Sequence, residues 1–347
     1  MTDVEVVRAE GRPARELLAC GRATVVPALR AAVDTLPGPM RRIAGYHFGW
    51  WDEDGRVVKA GGGKAIRPTL VLLSAEATGG ACADALPAAV AVELVHNFSL
   101  LHDDVMDGDA TRRHRPTAWN VFGVGPAILA GDALLTLAFD VLAASGHAAS
   151  TEAARALSQA VQDLVDGQCA DVAFERRVDV ALAEAQHMAE EKTAALIGCT
   201  CELGALFGDG TTDQVGRLRR FGQRLGLAFQ HVDDLLGIWG DPAITGKSVH
   251  SDLASHKKSL PVVAALTSGT PAGHELAALY DHDRQLSGPE LARAAELVEL
   301  AGGRSWSQAQ ADALLAQALR NLAAAGVHAK AASELGSLAR LIARRDH

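Results

Sequence analysis

The sequence predicts an all-α fold, a single large helical bundle around a central cavity, on three observations. Apolar residues recur at three- and four-residue spacing along most of the chain. No alternating strand pattern of convincing length interrupts them. Ala and Leu dominate while only 4% of residues are aromatic, which favours helix over sheet. With 347 residues, 48% of them hydrophobic, there is ample material for a core. No linker divides the chain, so 16–347 reads as one domain behind a polar tail at 1–15 that is expected to be frayed.

The elements follow in order. Helices are expected at 14–35, where Pro37-Gly38-Pro39 ends the run, and at 40–51, before a charged, Gly-rich loop at 51–63. The pattern then places helices at 65–79, 85–107, 118–122, 126–144, 150–175, 178–206 and 213–237. Further helices are expected at 259–268, 272–286, 287–301, 305–325 and 329–345. Such long and largely apolar helices must bury more than one face, which is the situation in a bundle.

Composition bounds the partners. A net charge of −9 leaves no basic surplus for a nucleic acid, although a small diphosphate needs only a few local cations. No uncharged apolar run of about 18 residues is found, so no transmembrane segment is expected. The first fifteen residues carry several acids and no apolar core, unlike a signal peptide. Cys20, Cys82, Cys169, Cys199 and Cys201 have neither metal-site nor secreted-framework spacing, so free thiols in a reducing cytoplasm are expected.

The sharpest chemical signal is His102-Asp103-Asp104-Val105-Met106-Asp107, which ends an otherwise apolar helix. Asp103 and Asp107 are four apart and share a face with Asp104 beside them, so their charges repel unless a cation sits there. Mg²⁺ is the natural candidate, since it binds one or two carboxylates together with substrate phosphate oxygens. Arg112 and Arg113 follow, and guanidinium groups grip phosphate oxygens in bidentate fashion. A second acidic end occurs at Phe229-Gln230-His231-Val232-Asp233-Asp234. Facing the first across a cavity, it would clamp a metal–diphosphate cluster and neutralise a departing diphosphate. Gly61-Gly62-Gly63-Lys64-Ala65-Ile66-Arg67 puts two cations at a helix start, an anion site that lacks the strand and spacing of a P-loop. Lys247, Lys257 and Lys258 follow the second acidic end and are placed to reach over its metals.

Together these motifs resemble the trans-prenyltransferase (polyprenyl synthetase) family, from about residue 60 to the C-terminus, closest in pattern to the geranylgeranyl diphosphate synthases. The resemblance implies the isoprenoid synthase fold, a homodimer, Mg²⁺ as cofactor, and isopentenyl diphosphate and an allylic diphosphate as substrates. It implies Asp103, Asp104, Asp107, Asp233 and Asp234 as metal ligands, Arg112 for the allylic diphosphate, and Arg113 for isopentenyl diphosphate. Lys64, Arg67 and His96 would join the isopentenyl diphosphate site. Lys192, Thr193, Gln230, Lys247 and Lys257 would face the allylic group, with Gln168 and Asp171 lining the same cavity. Phe98 and Ser99, five and four residues before Asp103, would floor the chain tunnel and set a C20 product.

One position departs from the family pattern: Gly237 stands where the second motif usually has a third Asp, and Asp241, four residues on, is the nearest compensating acid in sequence. Two other readings share the first motif. A class I terpene cyclase needs no second diphosphate site, and Lys64, Arg67 and His96 speak against it. A non-catalytic subunit of a heteromeric synthase draws its support from Gly237.

Overall fold

The computed structural model describes residues 11–58, 63–175, 177–241, 249–280 and 284–344. They form helices α1 (Ala14–Val33), α2 (Gly38–His47), α3 (Ile66–Thr78), α4 (Leu86–Met106), α5 (Ala118–Phe122), α6 (Val124–Ala144) and α7 (Ser150–Phe174). Then come α8 (Leu182–Ala189), a π-helical turn at Glu190–Ala194, α9 (Ala195–Phe207) and α10 (Thr212–Trp239). The chain closes with α11 (Ser251–Ala254), α12 (Leu260–Leu266), α13 (Pro271–Tyr280), α14 (Gly288–Leu300), α15 (Gly303–Ala324) and α16 (Ala329–Ala343).

The long central helices are apolar because they are enclosed. α4 packs between α3 and α6, and α10 between α9 and α15. On α4, Ala91, Val92, Leu94 and Val95 are fully buried, and each full burial of a Val or Leu contributes about 1.5–3 kcal/mol. The main core spans α1 to α10 and the last two helices. A second apolar cluster gathers Ile238, Leu253, Val262, Leu276 and Leu297 beyond the end of α10. α10 starts on a capping box in which Thr211 and Gln214 satisfy each other's backbone N–H groups.

Four expectations are corrected. The tail expected to be frayed through residue 15 is fixed from Arg12, whose guanidinium donates to Glu334 on α16 at 2.9 and 2.8 Å, with helix from Ala14; residues 1–10 lie outside the described ones. The second helix stops at His47 because Gly49 turns left-handed and Trp51 pairs with Val57. The helix expected at 178–206 starts at Leu182 and is broken by the π-helical turn. Short antiparallel strands β1 (Thr111–Arg112) and β2 (Arg115–Pro116) form a hairpin, two residues each and so too short for a period to register. Separately, α6 is long and apolar enough to cross a membrane by length and composition alone, a test that the buried helix of a bundle also passes. It carries only Asp132 and Asp140, and 39% of its apolar window is buried, on the side packed against α4.

Candidate active site

Asp103, Asp104 and Asp107 sit at the last turn of α4, where the helix dipole adds to their mutual repulsion. Burial pushes Asp103 and Asp104 up to about 6, against the pull of Lys192 on the first and Arg112 on the second. Asp107 is raised too, again mainly by desolvation. The three do not point alike. Asp104 is 1% exposed and turned inward, its Oδ1 accepting from Arg112 Nε at 2.6 Å, whereas Asp103 and Asp107 share the electrostatic neighbourhood of Lys192 and Asp171.

The arginine pair is presented by the β1–β2 hairpin. Arg113 and His114 take its turn with φ of 52° and 60°, a left-handed conformation that costs about 1–2 kcal/mol per residue. Surrounding contacts enforce it. Arg115 donates to the Tyr46 and Trp51 carbonyls at 3.1 Å and lies 4.4 Å over the Tyr46 ring. Thr117 and Trp119 both donate to the Asp109 carbonyl, at 2.8 and 2.9 Å.

A basic pocket forms behind the hairpin. Arg67 Nη1 donates to His96 Nε2 at 3.2 Å. Burial and the charges of Arg67 and Arg113 keep His96 well below the usual histidine value, so the ring is neutral and its proton sits on Nδ1. Arg113 lies against Gly63, where a Cβ would come within 3.0 Å of Nη2, and Lys64 follows on the surface. Sequence reasoning missed two members. Arg22, from α1, donates to the Gly63 carbonyl at 2.6 Å, and Glu93 is a counter-charge near Arg67, Arg113 and Arg22 whose acidity burial weakens.

Opposite α4 stand the π-helical turn and α10. Lys192 Nζ bonds Asp171 on α7 at 2.6 Å. Thr193 Oγ1 donates to Gln230 Oε1 at 2.6 Å, and Gln230 Nε2 to Asp234 Oδ1 at 2.6 Å. The other Asp234 oxygen accepts the Leu260 N–H at 2.8 Å. Asp234 is therefore spoken for inside the protein, and burial pushes its pKa up to about 7; Asp233 beside it is exposed. The turn reaches this place because Gly167 and Gly226 let it: Cβ atoms there would lie 2.8 Å from Lys192 Cα and 2.7 Å from Ala194 Cα. Desolvation alone would lower Lys257, but Asp171, Asp252, Asp234 and Asp233 hold it far above the usual lysine value. It also acts on Asp107, so one cation links the two acidic helix ends.

Some sequence-chosen residues fall elsewhere. Lys247 lies outside the described residues. Lys258 turns away, its ammonium 4.7 Å over the Tyr280 ring in the second core. Asp241 is exposed past the end of α10 rather than filling the place over Gly237. Phe98 is buried and meets His102 edge-on with ring centres 4.8 Å apart, and Ser99 bonds the His96 carbonyl. All five cysteines are free.

The family model for polyprenyl synthetase matches residues 52–298. The chain belongs to the polyprenyl synthetase family. It is 49% identical over 324 residues to a farnesyl diphosphate synthase of Mycobacterium bovis, covering 92% of this chain and 90% of that protein. A geranylgeranyl diphosphate synthase of Mycobacterium tuberculosis is 46% identical, with 96% and 94% covered. Among solved structures, a polyprenyl synthetase from Streptomyces coelicolor A3(2) superposes with a TM-score of 0.91 at 46% identity, covering 94% of this chain and 98% of that one. A geranylgeranyl pyrophosphate synthase from Corynebacterium glutamicum, complexed with isoprenyl diphosphate and magnesium, gives 0.82 at 27% identity, covering 95% and 99%. The protein is a chain-elongating trans-prenyltransferase with the isoprenoid synthase fold.

Prenyl synthases of this family work with a divalent metal, and the residues here fit one bridged to a diphosphate. Among the described residues no three acids, histidines or cysteines converge as a ready metal cage. The Gln168 side chain is 5% exposed with neither amide atom hydrogen-bonded, and Asp104 Oδ2 is in the same condition. Buried polar atoms left so await a partner.

Proposed function

We propose that this enzyme condenses an allylic diphosphate with isopentenyl diphosphate under Mg²⁺ and releases geranylgeranyl diphosphate, C20. The observation that carries the reading is the pair of acidic helix ends with their polar partners: Arg112 bonds Asp104 at 2.6 Å at the end of α4, and the Thr193–Gln230–Asp234 relay, 2.6 Å at each step, runs onto α10. Asp103, Asp107 and Asp233 would hold Mg²⁺, with Asp104 and Asp234 bracing Arg112 and Gln230 behind them. The bound metal supplies charge to stabilise the departing diphosphate.

The chain's own groups do the rest. Arg112, Lys192 and Lys257 bind the allylic diphosphate, with Lys247 assigned to the same group. Thr193, Gln230 and Gln168 offer dipoles beside the carbon that becomes cationic. Lys64, Arg67, His96 and Arg113 bind the second diphosphate, aiming its double bond at that carbon. Neutral His96 fixes Arg67 without adding a competing charge. Apolar helix walls keep water from the cation. A terpene cyclase has no use for this second cationic pocket.

The C20 assignment rests on the Phe98–His102 pair below Asp103. A C15 product is the second reading, favoured by the 49% identity to a farnesyl diphosphate synthase. The reading also includes a homodimer, supported by the exposed Ile128 and Leu129 on α6, and a cytoplasmic enzyme, supported by the free thiols. The test is incubation with Mg²⁺, isopentenyl diphosphate and each allylic primer, followed by product chromatography. A C20 product that disappears in Asp103→Ala with helicity unchanged is expected. Unchanged turnover in that variant contradicts the assignment.

A further inference from the structure

Position 237 lies one helical turn past Asp233, on the same face of α10, and as glycine it offers no side chain there. The space is filled from another element. A Cβ built on Gly237 would fall within the carboxylate of Asp252, 2.6 Å from its Oδ1. Asp252 belongs to α11 and is 8% exposed. Its neighbour Ser251 ties the two together, since Ser251 Oγ lies 3.3 Å from the Gly237 carbonyl and 3.4 Å from Asp252 Oδ1.

The chain beyond is bolted to the same helix end. Lys257 N donates to the Asp252 carbonyl at 2.9 Å, and Leu260 N to Asp234 Oδ2 at 2.8 Å. Lys257 therefore hangs between two anchored acids. Each oxygen of buried Asp234 accepts a hydrogen bond, from Gln230 and from Leu260, whereas Asp233 beside it is exposed. The third acid at this helix end is Asp252, whose carboxylate occupies the place that a side chain at 237 would take.

We propose that Asp252 takes the third carboxylate position of the second acidic segment, as a positioning residue that holds Lys257 and the divalent cation on the Asp233 side. Gly237 is then not a lost ligand but the clearance that Asp252 needs. Asp252, 8% exposed and packed against Gly237, acts from outside the metal's own sphere. The inference rests on the metal–diphosphate reading above.

The test is calorimetric titration of the full chain with inorganic pyrophosphate at a series of Mg²⁺ concentrations, beside circular dichroism of each variant. Asp252→Asn removes the charge, while Gly237→Ala keeps it and displaces it. Each should weaken Mg²⁺-dependent pyrophosphate binding about 10–100-fold, the usual effect of losing an outer-sphere partner, with helicity intact. The double variant Gly237→Asp/Asp252→Gly moves the carboxylate onto α10 and should restore binding. A folded Asp252→Asn or Gly237→Ala protein that binds like wild type overturns the proposal, as does a folded double variant that stays weak. Asp103→Asn separates the two levels. If it also binds like wild type, the metal–diphosphate reading falls, whereas if it alone weakens binding, only the role of Asp252 falls.

Discussion

Gly167→Ala tests whether the π-helical turn positions the catalytic pair Lys192–Thr193. The added methyl would sit 2.8 Å from Lys192 Cα and 2.9 Å from Lys192 Cβ, against about 3.5–4.0 Å for a comfortable carbon contact. α7 and the turn must therefore part by roughly 1 Å. Overpacking of this kind costs about 1–3 kcal/mol, or a fall in Tm of roughly 1–4 °C for a chain this large. The same shift loosens the 2.6 Å Lys192–Asp171 pair and the 2.6 Å Thr193–Gln230 bond. A displacement near 1 Å at a reacting centre can cost about 100-fold in rate, so kcat should drop far more than stability alone explains. Gly216→Ala in α10 is the internal control. Its nearest neighbour would be Arg220 Nη2 at 4.0 Å, and replacing a helical glycine should stabilise by up to about 1 kcal/mol without touching kcat. Steady-state kinetics and melting curves on both variants decide the matter. A Gly167→Ala enzyme with wild-type kcat and Tm refutes the positioning argument.

Two further outcomes follow from packing and charge. Phe98→Ala removes the ring stacked edge-on against His102; it should lengthen the product and destabilise by about 3–5 kcal/mol, and an unchanged product length by chromatography rejects the assigned tunnel floor. Glu334→Gln breaks the Arg12 clamp, where bonds to a charged partner are worth about 1.5–3 kcal/mol each. Arg12 depresses the Glu334 pKa, so in wild type this stability is present above the usual glutamate value and is lost as pH falls through the lowered one. Urea melts from about pH 7 to about pH 3 should show that acid loss in wild type and a flatter profile in the variant; parallel profiles contradict it.

What the sequence disclosed and what it hid divide along physical lines. The helical period located α3, α4, α6, α7 and α10 to within a few residues, because enclosure on several faces demands long apolar runs. The acidic ends were legible because stacked Asp residues after an apolar helix have no structural use. The π-helical turn was not, since one extra residue in a helix scarcely disturbs an apolar period; its only trace is the glycines at 167 and 226, on other helices. The β1–β2 hairpin is too short for alternation, although its bent arginine pair was found by chemistry. Arg22 joins the basic pocket from 41 residues before Gly63, with no local signal. Asp252 compensates Gly237 through space, and in sequence Asp241 looked nearer.

The most direct test is a crystal soaked with Mn²⁺ and inorganic pyrophosphate, with the metal located by its anomalous scattering. The account predicts metal peaks between the Asp103–Asp107 end of α4 and the Asp233 end of α10, bridged by the pyrophosphate. Peaks confined to other sites, with those carboxylates turned to solvent, would contradict it.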